Sequence, residues 1–289
     1  MATAWVFPGQ GSQVEGMGAD LSDLPGASEK LAQAHRILGW SLSDLTVDQL
    51  KQTTFTQPAL FLVSVLLADA LKTDLQPAAV AGHSLGEYSA LYCAGVFGFT
   101  EGLELVKRRS QLMATAKEGT MAAVMGFDRD KLEAVCSDTD GVVIANDNSP
   151  DQVVLSGDKT AIERAISAAS PRRSVFLPVS GAFHSPYMAE AAEQFAAVLD
   201  AVSFNPSTVP VYSNVTATAT TDPDTLKTNL RNQVTGSVRW RETITAMSAA
   251  GIDTLWEVGT GKVLTGLARR IDRALSRVNI SDAASISKL

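Results

Sequence analysis

The feature that most limits what this chain can fold into is the run Gly82-His83-Ser84-Leu85-Gly86. A short apolar stretch, Ala78 to Ala81, precedes it, and a helix-like run, Glu87 to Ala94, follows. A serine between two glycines at a strand-to-helix turn is the nucleophile-elbow pattern. The flanking positions must be small because strand and helix approach closely there. The serine is held strained and exposed, beside helix N-terminal amides that stabilise negative charge. A glycine-flanked turn with an ordinary serine would spell the same five letters. A base and a substrate-binding group elsewhere must decide.

The chain around the elbow alternates strand and helix. Ala4 to Phe7 reads as a strand running into the glycine-rich loop Pro8-Gly9-Gln10-Gly11-Ser12-Gln13. Ser28 is positioned to cap a helix through Leu38, and Gln57-Pro58 to open another through Leu71. Within the latter, the apolar run Ala59 to Leu71 reads as a buried helix, too short to span a bilayer. Thr100 is expected to cap a helix carrying Leu103, Val106, Leu112 and Met113 at helical spacing.

A different rhythm begins at Gly119. Strand 121–127, helix 128–137, strands 142–145 and 153–156, helix 158–169 and strand 174–178 give the order βαββαβ. That is the ferredoxin-like pattern. Residues 119–179 are therefore expected to form a small subdomain inserted into a larger one made of 1–118 and 180–289. The second part of the larger subdomain continues with a helix from Ser185-Pro186 to Val202, a strand 209–213, and helices 223–233 and 239–250. It ends with a strand 254–258 and a helix 261–274. The predicted fold is α/β: a hydrolase-like body with a mostly parallel sheet covered on both faces, plus the insert.

Composition narrows the function. At 289 residues with 45% apolar content, the chain can bury a sizeable core. A net charge of −7 argues against nucleic acid or an anionic membrane as the main partner. The two cysteines, Cys93 and Cys136, read as buried hydrophobes in a reducing cytosol, and no metal-ligand spacing occurs. No cofactor or metal is expected. The first residues lead straight into a strand without a signal-peptide pattern, so a cytoplasmic location is expected. No exposed apolar stripe asks for a dimer, so a monomer is expected.

A serine hydroxyl needs an adjacent base. Of the three histidines, His35 sits on a surface-type helix. His83 should point away from Ser84 at the sharp turn, packing or bonding to backbone. His184, in Gly181-Ala182-Phe183-His184-Ser185-Pro186 between a strand and a helix, is the base by elimination. The acids between the two, among them Glu87, Glu101, Glu104 and Glu118, end no clear strand of the larger sheet. The group orienting His184 is therefore expected to be uncharged, such as a backbone carbonyl. Arg108-Arg109 reads by default as a solvated basic pair. If one of them faces the pocket, its planar fork would bind a substrate carboxylate. Gly259-Thr260-Gly261-Lys262 fits neither nucleotide-loop spacing. Met113, Met121 and Met125 read as core, and the four tryptophans are scattered.

Taken together, these motifs resemble the malonyl-CoA:acyl-carrier-protein transacylase family of bacterial-type fatty acid synthesis, over essentially the whole chain. The resemblance rests on Phe7 to Gln13, Gly82 to Glu87, Arg109 with Met113, and Gly119 to Val124. It continues in order through Asn148-Ser149-Pro150 with Gln152-Val153-Val154, Gly181 to Ser185, and Gln233 ahead of Val238-Arg239-Trp240. It implies Ser84 as acylated nucleophile and His184 as base, with Gln10 and the Leu85 amide as oxyanion hole. Arg109 would clamp the malonyl carboxylate, and Gln233 would orient His184 through its backbone carbonyl. Asn148 would support the site, and Phe183 would crowd an α-methyl group. The implied reaction moves malonyl from coenzyme A to the phosphopantetheine thiol of acyl carrier protein in ping-pong order. Carrier proteins of this pathway are acidic, so a basic docking face is expected, with Arg172-Arg173 or Arg269-Arg270 and Arg273 as candidates. The competing readings are a serine hydrolase and a non-catalytic carrier-binding domain.

Overall fold

The computed structural model describes residues 2–72, 75–116 and 118–289. In chain order, the first part comprises β1 (Thr3–Phe7), α1 (Ala27–Leu38), α2 (Thr53–Lys72), β2 (Ala79–Gly82), α3 (Gly86–Cys93) and α4 (Phe99–Thr115). Then come β3 (Thr120–Met125), α5 (Arg129–Asp138), β4 (Val142–Ser149), β5 (Gln152–Gly157), α6 (Lys159–Ala169) and β6 (Arg173–Phe176). The last part holds α7 (Ala189–Asp200), β7 (Val211–Tyr212), β8 (Ala219–Thr220), α8 (Pro223–Gln233), α9 (Trp240–Ala249), β9 (Thr254–Val258), α10 (Val263–Ile271), β10 (Ser276–Ile280) and α11 (Ala283–Ile286).

Two sheets result. The larger has the order β10-β9-β1-β2-β7-β8 and is parallel except for the β7–β8 pair. Its central strands are apolar throughout, as strands covered on both faces must be: Ala4 to Phe7 and Val80 to Ala81 are at most 1% exposed. One face packs under α2, α3 and α4; the other packs against α9 and α10. The smaller sheet is antiparallel, ordered β4-β5-β3-β6, with α5 and α6 on one face around Ala122, Leu132, Leu155 and Ile162. This is the ferredoxin-like arrangement that the element order predicts.

The parallel order has one consequence for the site. The C-terminal ends of β1, β2, β7 and β9 open on the same edge of the sheet, where open α/β sheets bind ligands. The loop after β1, the elbow after β2, Asn214 after β7 and the 259–262 loop after β9 all begin there. The small sheet reaches this edge through β4, which runs on to Ser149 with two register shifts. Val238 donates its N–H to Ala145, and its carbonyl accepts from Asp147, each within 2.9 Å.

Several boundaries differ from the sequence reading, each for a local reason. α1 starts at Ala27 behind a left-handed Gly26, so Ser28 lies inside it and caps nothing. α4 starts at Phe99 behind Gly98, placing Thr100 inside as well. α2 begins at Thr53 rather than Gln57, with Pro58 past its first turn. At 20 residues it is long and apolar enough by composition to cross a membrane, but 78% of it is buried inside the protein. The turn-rich letters Asn146 to Ser149 are strand: they pair with Gln152 to Val154 of β5 across two register shifts, and Asn146 also bridges to Val238. The strand expected at 209–213 is only Val211–Tyr212. The helix expected from Gly261 starts at Val263, and the one expected from Ser185 becomes a short 3-10 helix, Pro186–Met188, followed by α7. β8, β10 and α11 were not foreseen. Cys93 is buried, but Cys136 is only partly so.

Gly82 and Gly86 show why the elbow has its sequence. A Cβ on Gly82 would lie 1.8 Å from the carbonyl carbon of Gly86, and one on Gly86 would lie 2.0 Å from the carbonyl oxygen of Phe7. Both contacts are to backbone, which cannot rotate away. Gly86→Ala should therefore cost upwards of ~3 kcal/mol in urea denaturation, beyond an ordinary overpacked side chain; an unchanged midpoint would contradict this.

Candidate active site

The elbow leaves Ser84 in the left-handed region, with φ at 50°. Such a conformation in a non-glycine residue persists only where its surroundings enforce it. Asn214 supplies much of the enforcement. Its Oδ1 accepts from the Ser84 N–H at 2.7 Å, and its Nδ2 donates to the Gly82 carbonyl at 2.6 Å. The Leu85 amide sits at the N-terminus of α3 and has no hydrogen-bond partner among the described residues.

His184 is the second strained residue, with φ at 56°. Its Nε2 accepts from the Ser84 hydroxyl at 2.7 Å. Its Nδ1 faces two carbonyls, Gln233 at 2.9 Å and Gly236 at 3.2 Å. Carbonyls only accept, so the proton sits on Nδ1 and the Nε2 lone pair is free for Ser84. The expectation of an uncharged orienter thus holds in geometry. Burial, then the nearby Arg109 charge, pulls the His184 pKa from 6.5 down to about 3. The imidazole is therefore neutral, the form a base requires.

Arg109 and Arg108 part ways. Arg108 is exposed on α4, while Arg109 is 1% exposed and turned into the site. The Arg109 guanidinium donates to Gln57 Oε1 at 2.6 Å, to Ser84 Oγ at 3.1 Å and to Gln233 Oε1 at 3.1 Å. Its carbon lies 5.3 Å from the Tyr88 ring centroid, within cation–π range. Its Nε is buried without a partner. Burial holds the guanidinium below its ordinary 12.5, opposed by the charges of Tyr88 and Glu87.

A cavity of about 470 Å³ opens over these groups. Gln10 lines it, its Oε1 accepting from the Thr53 hydroxyl at 2.9 Å. Phe183 and Asn148 line it too, both largely buried. Asn148 Oδ1 accepts from His83 Nε2 at 2.8 Å. His83 therefore bonds a side chain rather than backbone, and packs edge-on against Trp240 at 5.5 Å. Met113 and Met121 are core residues that also wall the cavity. The 259–262 loop offers no phosphate cradle: the buried Glu257 carboxylate already takes the Leu264 and Thr265 amides at 2.9 and 2.7 Å.

Sequence reasoning missed three residues here. Gln57 was treated as a helix start, Asn214 was not singled out, and Glu87 was set aside because no strand of the larger sheet ends at it. Asn214 had a legible signal, since it follows the strand that pairs with the elbow strand. Glu87 is 1% exposed and accepts from Gln233 Nε2 at 2.7 Å and the Asn214 N–H at 3.2 Å. Burial raises its pKa from 4.5 to about 7, with the bonds from Gln233 and Asn214 and the Arg109 charge opposing.

The acyl transferase domain family matches residues 4–289. The chain is 50% identical to the malonyl CoA-acyl carrier protein transacylase of Synechocystis sp., covering all of both chains. This chain belongs to the malonyl-CoA:acyl-carrier-protein transacylase family. The crystal structure of the Synechocystis transacylase superposes with a TM-score of 0.97 over the full length of each chain. A malonyl-transacylase in complex with a type II polyketide synthase acyl-carrier protein is 36% identical, with a TM-score of 0.94, covering 100% of this chain and 98% of that one.

The pKa shifts have opposite effects on stability. His184 refuses a proton that the unfolded chain accepts below pH 6.5, so acidification costs stability. Glu87 keeps a proton that the unfolded chain releases above pH 4.5, so stability is lost as pH rises toward 7. Glu87→Gln removes only the second effect. Relative to wild type, its unfolding free energy should rise by up to about 3 kcal/mol between pH 4.5 and 7.5. A difference that stays flat across this range in urea titrations would contradict the assignment.

Proposed function

We propose that this enzyme transfers a malonyl group from coenzyme A to the phosphopantetheine thiol of an acyl carrier protein through a malonyl ester on Ser84. The observation that carries the reading is the buried Arg109, whose guanidinium lies 3.1 Å from the attacking oxygen. An acyl group with a free carboxylate gives that cation a bidentate partner when its carbonyl sits over Ser84. The bonds from Arg109 to neutral acceptors are the ones such a carboxylate would replace. A hydrolase of uncharged esters has no use for a cation there.

His184 Nε2 takes the hydroxyl proton as Ser84 Oγ attacks the thioester carbonyl. The Leu85 amide and Gln10 stabilise the oxyanion, a donor of this kind being worth roughly 3–4 kcal/mol. As the carbon–sulfur bond breaks, His184 returns the proton to the coenzyme A thiolate. The carrier thiol then gives its proton to His184 and attacks the ester, and Ser84 leaves with that proton. Phe183 lies where it would crowd an α-methyl substituent. Asn148 supports the elbow by holding His83. The relatives, a malonyl CoA-acyl carrier protein transacylase and a malonyl-transacylase in complex with a type II polyketide synthase acyl-carrier protein, support malonyl and carrier protein as substrates.

The carrier is proposed to dock near α10, whose Leu264 and Leu267 wall the cavity. Arg269, Arg270 and Arg273 are exposed beside it, and Arg270 donates to Gln152 Oε1 at 2.9 Å on the cavity rim. Arg172-Arg173 lie instead at the start of β6.

Mixing with malonyl-CoA should add about 86 Da to the wild type and nothing to Ser84→Ala. An unmodified wild type would sink the proposal. Arg109→Ala should slow malonyl loading by on the order of 10³-fold while sparing acetyl loading, separating the clamp from the nucleophile. Loading unchanged in Arg109→Ala would refute the clamp. Reversing Arg269 and Arg270 to glutamate should raise KM for carrier protein and leave KM for malonyl-CoA alone. Equal effects would refute the docking face.

A further inference from the structure

The mechanism above leaves unused a buried carboxylate that bonds directly to the site's residues. Glu87 stands in the first turn of α3 with 1% exposure, and no cation lies within ion-pair distance among the described residues. An acid is costly to bury without a cation. Its bonds lead to the two residues that arrange the site. One is Asn214, whose side chain holds the Ser84 amide. The other is Gln233, whose side chain and main-chain carbonyl both bond inside the site. The Gln233 main-chain carbonyl accepts from His184 Nδ1, and its Oε1 accepts from Arg109. Its Nε2 is shared between the Ser84 carbonyl at 2.9 Å and Glu87 at 2.7 Å.

We propose that Glu87 is the positioning acid of this active site: by holding the Gln233 amide it sets the aim of His184 and the seat of Arg109 together. In a Ser-His-Asp triad the acid touches the imidazole directly. Here a carbonyl touches the imidazole, and the acid touches the side chain of the residue that owns the carbonyl. Both donors converge on one oxygen, Oε2, so an amide oxygen in the same place can accept both. The role therefore rests on an acceptor at that point, and Glu87→Gln keeps it. Glu87→Met fills similar space with no acceptor and frees Gln233 to turn.

The inference rests on the Ser84–His184 reading, so its test uses two reagents on the full-length enzyme. Phenylmethylsulfonyl fluoride needs Ser84 and His184 but carries no carboxylate; malonyl-CoA also needs Arg109. Labelling rates are read by mass, and folding is checked by circular dichroism and urea midpoint. Folded Glu87→Met should label with both reagents at least about 30-fold more slowly than wild type, with Glu87→Gln recovering to within about five-fold. A folded Glu87→Met that labels at the wild-type rate overturns the proposal, as does a Glu87→Gln as slow as Glu87→Met. If Glu87→Met does not fold, Gln233→Met carries the test. It keeps the main-chain carbonyl and loses the amide, and wild-type sulfonyl fluoride labelling by the folded variant overturns the proposal equally. A wild type that takes the sulfonyl fluoride but no malonyl group overturns the malonyl reading and leaves the sulfonyl fluoride comparison standing.

Discussion

The structure depends on a guanidinium held away from water with no carboxylate within ion-pair distance among the described residues. Arg109 is met by neutral acceptors on Gln57, Gln233 and Ser84 and by the Tyr88 ring, and its Nε bonds to nothing. A buried charge without a counter-charge is expensive unless hydrogen bonds surround it. The surrounding residues are therefore arranged around this cation as much as around the nucleophile. The same positive charge helps keep His184 neutral and opposes the rise in the Glu87 pKa. On the proposed reading, one side chain thus couples the protonation of the base to the capture of an anionic acyl group.

The fold can deliver this arrangement because a parallel sheet puts many strand ends on one edge. Ser84 comes from the end of β2, Asn214 from the end of β7, Gln10 from the end of β1 and Gln233 from the end of α8. Arg109 reaches in from the middle of α4, which packs against α2, α3 and α7. Each contribution is fixed by backbone or buried side-chain bonds, so little reorganisation is needed when substrate enters. Two of the left-handed non-glycine residues, Ser84 and His184, sit where that restraint is densest.

How much of this was legible in the sequence follows from the range of each signal. The elbow, the ferredoxin-like order and the strand-helix alternation are local patterns, and all three reappear in the coordinates. Helix starts failed at Ser28, Thr100 and Pro58, where capping letters are present but the chain is already committed one to five residues earlier. Asn146 to Ser149 looked like a turn because their residue types are those of turns, yet they carry the β4–β5 hairpin on to Gln152, and the bridge from Asn146 to Val238 lies far along the chain. Ser84 was legible from the glycines that flank it and His184 because the chain has only three histidines, whereas Arg109 was told from Arg108 only by the family resemblance. Asn214, Gln57 and Glu87 were not legible, because amides and acids are common and only the fold says which of them face inward.

On the proposed reading, the absence of an acid at His184 among the described residues fits a reaction in which the proton must move both ways. A carboxylate touching Nδ1 would stabilise the imidazolium and strengthen the base, favouring attack by the first available nucleophile, water included. Two carbonyls orient the ring without adding charge, and the depressed His184 pKa makes the proton easy to return. A base of this kind moves a serine proton briefly and gives it up to a departing thiolate. A thiol, already more acidic than water, needs less help from it. On the proposed reading, a weakly supported histidine beside a strongly anchored acyl group selects a thiol acceptor over water. The carboxylate is not missing from the site. It stands at Glu87, one residue removed, where it can hold geometry without lending its charge to the base.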